Sequence, residues 1–535
     1  MCHGYGLNHS TLKQQKYMAA TATESGRRQL HFMVFPMMAP GHMIPMIDVA
    51  RILARSDSGV TVTIFTTPVN ANRFRSTLDQ DRRSGFKIRE HVVRFPCAET
   101  GLPEGCENAD MVPKGQNLDS AFMVAIWMLK PQAEEAIRGS KPPVTCIVSD
   151  MVMQWTADLA ERMNIPRIVF NGSCCFSFVC STKIMESNIL GRVASETEMF
   201  TVAGLPPPYD EKIQLCKAQV KGCVVDPNEI KTEAQKEMGE KLMQAITSAY
   251  GVIVNSFSEM EPEFEEEYKR KFHHGRVWCV GPVSLSTHRS VQDEQPLEEG
   301  NAVIKKNESG EEKEPCLKWL NSQAPGSTIY VSLGSLVRLT VEQMMELALG
   351  LELSGRPFIW ALGRADEQLE AFEEWVLADG FEERTRGRGA LVRGWAPQLR
   401  ILSHPSIGGF LTHCGWNSTL EAISAGVPML TWPIFAEQFV NEKLVVDVLG
   451  VGVSLGVKTS ALWEGKETAG SGVVVKRDEV KEAVGQLMEG DGEECRRKVK
   501  ELGGKAKTAV QKGGSSHLNL ISLIEDISLF GSTIL

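Results

Sequence analysis

Residues Gly408–Phe439 read GGFLTHCGWNSTLEAISAGVPMLTWPIFAEQF. A strand-like apolar run ends at His413 and Gly415, and a helical pattern follows. Ser418-Thr419-Leu420-Glu421 has the spacing of a capping box, in which Ser418 accepts an amide hydrogen bond and Glu421 reaches back. Gly426, followed by Pro428, marks the end of that helix. Gly415 lets the backbone come close to a ligand. His413 and the bare amides around Asn417 and Ser418 then make an anion pocket at a helix start. A plain strand–turn–helix with a buried histidine has the same pattern, so the rest of the chain must decide.

The chain has 535 residues, 42% hydrophobic and 23% charged, which is enough for two sizeable domains and too long for one core. Its net charge of −10 speaks against a nucleic-acid partner. The thirteen cysteines form no CxxC pair and no metal-ligand spacing, and read as reduced, mostly buried thiols of a cytoplasmic protein. Residues 1–28 lack the apolar core of a signal peptide and are expected to form a disordered tail, with Met18 an alternative start and a transit peptide an alternative reading. No apolar run is long enough to span a membrane.

Short apolar runs alternate with helical patterns along the first half: LHFMVFP from Leu30, VTVTIFTTP from Val60, VTCIVSD from Val144, IPRIVF from Ile165, GVIVNSF from Gly251 and VWCVGPV from Val277. This alternation predicts βαβ units and a parallel sheet. Residues 285–314 are polar, charged and free of aromatics, as in a linker. The pattern restarts with STIYVSLGS, PFIWALG, GALVRGWAP, IGGFLTH and VPMLTWP. The expected organisation is an α/β chain of two doubly wound domains facing across a cleft. The boundaries fall at 29–284 and 315–512, with a helix over 513–535 packing back on the first domain.

The span WAPQLRILSHPSIGGFLTHCGWNSTLEAISAGVPMLTWPIFAEQ, Trp395–Gln438, closely resembles the signature of the plant secondary product glycosyltransferases. Both ends, the HCGWNS centre and the spacing match. Weaker likeness to plant UDP-glycosyltransferases runs from about residue 29 to the end, through SDMV, FNGSCCF, GLPPP, VGPV and YVSLGS. The resemblance implies a GT-B fold of two Rossmann-like domains, with the UDP-sugar on the C-terminal one and the acceptor on the N-terminal one. It implies that Trp395 stacks on the uracil, with Ala396 and Gln398 at its edge, and that Glu421 binds the ribose. His413, Asn417, Ser418 and Ser335 would hold the diphosphate, and Trp416, Glu437 and Gln438 the sugar. Trp416 and Gln438 together resemble a glucose donor site; the family often has Asp where this chain has Glu437. Where many relatives place a sugar-touching Thr, this chain has Gly172 beside Ser173.

In MVFPMMAPGHMIPMIDVARIL a strand ends and His42 opens a helix with Pro45 in its first turn. A helix start disfavours imidazolium, so His42 is expected to be largely neutral near pH 7. Asp150 ends VTCIVSD, and in an open parallel sheet both residues emerge at the carboxyl edge. Alone, these read more readily as a packed or capping histidine and a helix N-cap. The resemblance makes them the general base and the carboxylate that orients it. The implied chemistry is an inverting displacement from UDP-glucose, a co-substrate, with no cofactor or metal required because a helix end and His413 receive the leaving charge.

Asp79-Gln80-Asp81 matches a metal-binding Asp-x-Asp pattern but lies in a polar stretch expected to be solvated. Gly450-Val451-Gly452 lacks dinucleotide-binding spacing. The loop Phe95–Asp110 and the helix Ala121–Pro131, with Met37 and Met38, are expected to wall the acceptor pocket, although such residues more often form core. The resemblance implies an acceptor hydroxyl on a small apolar metabolite of flavonoid, triterpenoid, steroid or cytokinin type, and the protein is expected to be a monomer. Transfer to nitrogen or sulfur, and a non-catalytic UDP-sugar binder, are the rival readings.

Overall fold

The computed structural model describes residues 29–530 apart from 57–58, 114–117, 225–231, 288–314, 338, 364–365, 459–473 and 491. The expected N-terminal tail and most of the expected linker lie outside the described residues. Fifteen strands are described. β1 (His31–Phe35), β2 (Thr61–Thr66), β3 (Lys87–Val92), β4 (Cys146–Asp150) and β5 (Arg167–Asn171) lie in the first half, as do a small antiparallel hairpin, β6 (Met199–Thr201) and β7 (Gln214–Cys216), and then β8 (Gly251–Val254) and β9 (Val277–Cys279). The second half holds β10 (Thr328–Ser332), β11 (Phe358–Gly363), β12 (Gly389–Arg393), β13 (Ile407–Thr412), β14 (Met429–Thr431) and β15 (Gly452–Ser454).

Two parallel sheets result, ordered β3-β2-β1-β4-β5-β8-β9 and β12-β11-β10-β13-β14-β15. Strands β1, β4, β5 and β13 are buried throughout, because helices cover both faces of each sheet. This is why they read as unbroken apolar runs. In each sheet the chain winds outward in one direction and then returns to the other side of its first strand. The reversal falls between β1 and β4 in one sheet and between β10 and β13 in the other. The connections splay apart at these points, and the carboxyl ends of the strands open onto a crevice.

The last described helix, Ser515–Phe530, sends Leu520, Leu523 and Ile527 into the apolar cluster of Phe32, Ile47 and Val62. Asn519 also donates to the Cys279 carbonyl at 3.0 Å. The C-terminal helix thus packs on the first sheet.

The Asp79–Asp81 stretch is not solvated as a whole. It forms the end of helix Pro68–Arg83, and Asp81 is 1% exposed. Arg51, equally buried, donates its Nε–H to Asp81 at 2.6 Å, and Arg55 binds the other carboxylate oxygen. The helical period places Asp81 inward and Asp79 outward, so one dipeptide step separates a structural ion pair from a surface one. Removing one partner of a buried pair leaves the other charge stranded and costs about 3–5 kcal/mol. Asp81→Ala should lower the unfolding free energy obtained from urea titration by that amount while activity per folded molecule stays unchanged.

Candidate active site

β4 ends at Asp150, whose carboxylate is 1% exposed. One oxygen accepts the Val152 amide at 3.0 Å, and the other lies 2.8 Å from His42 Nδ1. His42 sits in the first turn of helix Pro40–Ser56, which follows β1, and its side chain is 44% exposed. The strand end therefore fixes the carboxylate, the carboxylate fixes the ring, and Nε2 is left toward the crevice. The imidazole is not the neutral group expected. Burial draws its pKa down, but the charge of Asp150, the hydrogen bond to it and the charge of Glu437 outweigh burial and lift it from 6.5 to about 9. The helix end was the only influence visible from local sequence; two carboxylates, one from the other half of the chain, override it.

Across the crevice, at the second reversal point, His413 follows β13. Its ring lies against two glycines: a Cβ on Gly334 would stand 2.7 Å from its Nε2, and one on Gly415 only 2.3 Å away. Gly334 also has φ +82°, so both positions exclude side chains. Burial holds the His413 pKa down at about 4, and its Nδ1 is buried without a hydrogen-bond partner. This histidine is a neutral dipole near pH 7.

The helix that follows runs Trp416–Ala425, with Gly415 as N-cap and no side-chain cap. The expected capping box does not form. The helix starts two residues before Ser418, which places Ser418 within the first turn instead of before it. Gln398 instead donates through Nε2 to Ser418 Oγ at 3.0 Å and to Glu421 Oε2 at 2.8 Å, while Tyr330 donates to Gln398 Oε1 at 3.2 Å. Gln398 and Glu421 thus stand side by side. The uncapped helix start keeps its first amides available to an anion. Gly426 ends the helix at φ +73°, as expected from its place before Pro428.

The remaining residues singled out from sequence gather around this turn. Trp395 is 47% exposed and leaves a ring face open, with Ala396 buried next to it; Ser335 is exposed after Gly334. Trp416 departs from expectation. Its indole is 3% exposed and donates Nε1–H to the Asn255 carbonyl at 2.7 Å, so its side chain bonds the two halves and only its backbone can face a sugar. Asn417 likewise spends a side-chain N–H on the Gly41 carbonyl at 2.7 Å. Gln438 does not offer both ends of its amide: Oε1 accepts the Ile434 and Phe435 amides at 2.9 and 3.1 Å, which leaves Nε2. Glu437 is coupled to His42, and burial raises its pKa despite the stabilising His42 charge.

Asn441 was not singled out from sequence. Fully buried, it donates to the Cys414 carbonyl at 3.0 Å and accepts from Cys174 Sγ at 3.7 Å, which joins the turn after β13 to the one after β5. Cys414 has φ +63° without being glycine, so its carbonyl needs this partner. A polar residue on the buried face of the apolar helix FVNEKLVV was the available signal. Of the residues expected to wall the acceptor pocket, Met37, Met38, Phe95, Leu102 and Phe122 are buried in one core cluster, whereas Val124 and Trp127 of helix Leu118–Met128 are exposed. None of the twelve described cysteines forms a disulfide. Among the described residues no group of three or more potential metal ligands occurs, and no helix is long and apolar enough to cross a membrane.

The paired reversal points, each with a histidine and one with an open helix start, match known proteins. The family described as UDP-glucoronosyl and UDP-glucosyl transferase matches residues 303–487. UDP-glycosyltransferase 73E1 of Stevia rebaudiana is 45% identical over 508 residues, covering 93% of this chain and 96% of that protein. UDP-glycosyltransferase 73C6 of Arabidopsis thaliana is 45% identical over 502 residues, with the same coverage of 93% and 96%. Among solved structures, Glycyrrhiza uralensis UGT73P12 complexed with glycyrrhetinic acid 3-O-monoglucuronide superposes with a TM-score of 0.81 at 35% identity, covering 95% of this chain and 97% of that one. With nearly the whole chain shared and both sheets in the same arrangement, this protein belongs to the plant family 1 UDP-glycosyltransferases and has their two-domain GT-B fold.

Proposed function

We propose that this glycosyltransferase moves glucose from UDP-glucose, with inversion at the anomeric carbon, to a hydroxyl of a small apolar plant metabolite. The observation that carries the proposal is the His42–Asp150 pair at 2.8 Å, with Glu437 of the opposite half electrostatically coupled to His42. A base and a carboxylate from the donor side therefore share one space, as transfer between two bound substrates requires. Residues 29–284 form the acceptor half and 315–512 the donor half in this reading. The complexed relative from Glycyrrhiza uralensis supports a bulky apolar acceptor.

His42 Nε2 takes the proton of the acceptor hydroxyl, the oxygen attacks the anomeric carbon, and UDP departs on the opposite face. Asp150 on Nδ1 fixes the tautomer and steadies the imidazolium. The charge that builds on the diphosphate meets the first amides of helix Trp416–Ala425, the Ser418 and Ser335 hydroxyls and the His413 ring. Trp395 stacks on the uracil beside Ala396, and Gln398 with Glu421 accepts the ribose. The backbone of Trp416, the Glu437 carboxylate and Gln438 Nε2 hold the sugar.

His42→Ala should lower turnover by about 10²–10⁴-fold while calorimetric affinity for UDP stays within about twofold, since UDP binds the other half. An equal loss of UDP affinity would remove the base assignment.

The pH dependence follows from the raised pKa of His42. Its folded value lies above 6.5, so the protonated pair contributes stability that is complete below about pH 6.5 and is lost as pH rises through about 9. The base form grows over the same interval. The kcat/KM of wild-type enzyme should therefore rise with pH across neutrality toward 9, and Asp150→Asn should shift that limb to lower pH and lower its plateau. A profile flat from pH 6 to 8.5 would exclude His42 as the titrating base.

With Gln438 Oε1 committed to the backbone, donor choice rests on Nε2 and Glu437. Side-by-side kcat/KM values should favour UDP-glucose over UDP-galactose and UDP-glucuronate by about tenfold to a hundredfold, the range of one or two unpaired hydrogen bonds. Gln438→His should reduce glucose transfer; preference for either competitor would refute the donor assignment.

A further inference from the structure

Helix Pro40–Ser56 carries a proline inside it, at Pro45. A helical residue normally gives its N–H to the carbonyl four positions earlier, and the carbonyl four before Pro45 belongs to Gly41. Proline has no N–H, and its ring crowds that carbonyl and tilts it away from the helix axis. Gly41 O is therefore an orphan acceptor created by sequence, one residue before His42. Its partner comes from the other half of the chain: Asn417 Nδ2 donates to it at 2.7 Å, across 376 residues. Asn417 is the second residue of the helix whose open start faces the crevice. One hydrogen bond thus joins the turn that carries His42 to the turn that would hold the donor diphosphate.

We propose that Pro45 is a positioning residue for the transfer: by withholding an amide from the Gly41 carbonyl it reserves that oxygen for Asn417, and so registers His42 over the donor site. The inference rests on His42 being the base. An L-residue with an N–H at position 45 would complete the helical hydrogen bond, draw the Gly41 carbonyl back toward the axis and loosen the bridge to Asn417. Proline is by far the least favourable residue in a helix interior, so the native sequence carries a local stability deficit. The proline gains a purpose if the freed carbonyl has work to do elsewhere.

Two substitutions test this. Pro45→Ala restores the amide, and Pro45→Val restores it while keeping a side chain of similar volume. Both should leave the unfolding midpoint unchanged or higher and UDP affinity within about twofold, while kcat falls about tenfold or more, because a misplacement near 1 Å at a reacting group costs up to about 10²-fold. In an Asn417→Ala background the same Pro45 substitutions should cost much less, since the carbonyl has already lost its cross-cleft donor. Wild-type kcat in both Pro45 variants, or losses that simply add to that of Asn417→Ala, would overturn the proposal. His42→Ala run in parallel separates the two ideas. If it retains turnover, the base reading itself fails; if it loses turnover while Pro45→Ala does not, only the role of Pro45 falls.

Discussion

Burying a carboxylate without a partner costs several kcal/mol, and the placement of Asp150 makes that cost the organising constraint of the site. The carboxylate ends a strand whose register against β1 pairs Phe35 with Ser149, so it cannot move independently of the sheet. It must be met by a donor, and His42 meets it. Once the imidazole is held, the start of its helix is held, and with it the Gly41 carbonyl and the bond to Asn417. A chain of four local requirements then spans the crevice from one sheet to the other. The ring's high affinity for a proton has the same origin, because the carboxylates that fix it also hold its charge.

Much of this was legible from the linear sequence. The buried central strands read clearly because helices cover both faces of the sheet there, whereas β3, KIREHV, is polar and largely exposed and gave no apolar run to read. The strand–turn–helix after β13 was marked by Gly415, Gly426 and Pro428, and the flanking signature pointed to the family. The failures have one physical source: they depend on partners hundreds of residues away. The Trp416 indole N–H, which sequence leaves open, is taken by the Asn255 carbonyl. The raised His42 pKa depends on Asp150 and then on Glu437, and Gln438 loses its oxygen to the Ile434–Phe435 amides in a tight turn where Ala436 has φ +53°. Ser418 and Glu421 have capping-box spacing, yet Gln398 binds both. Local spacing identifies which groups are present; the partner decides which of their atoms remain free.

The two halves also share one hydrophobic cluster. It runs from Val169, Phe176 and Phe257 in the first half to Tyr330, Phe410, Trp416 and Leu420 in the second. The Trp416–Asn255 hydrogen bond lies at this seam, inside a protein interior and not at a wet hinge. Recombining halves from different relatives is therefore not a free exchange of one module for another. A transplanted first half must bring a carbonyl to the position of Asn255 and apolar surface that fits the Trp416 indole, or the graft exposes core to water. The seam, more than any pocket, then limits which first halves can be joined to this second half.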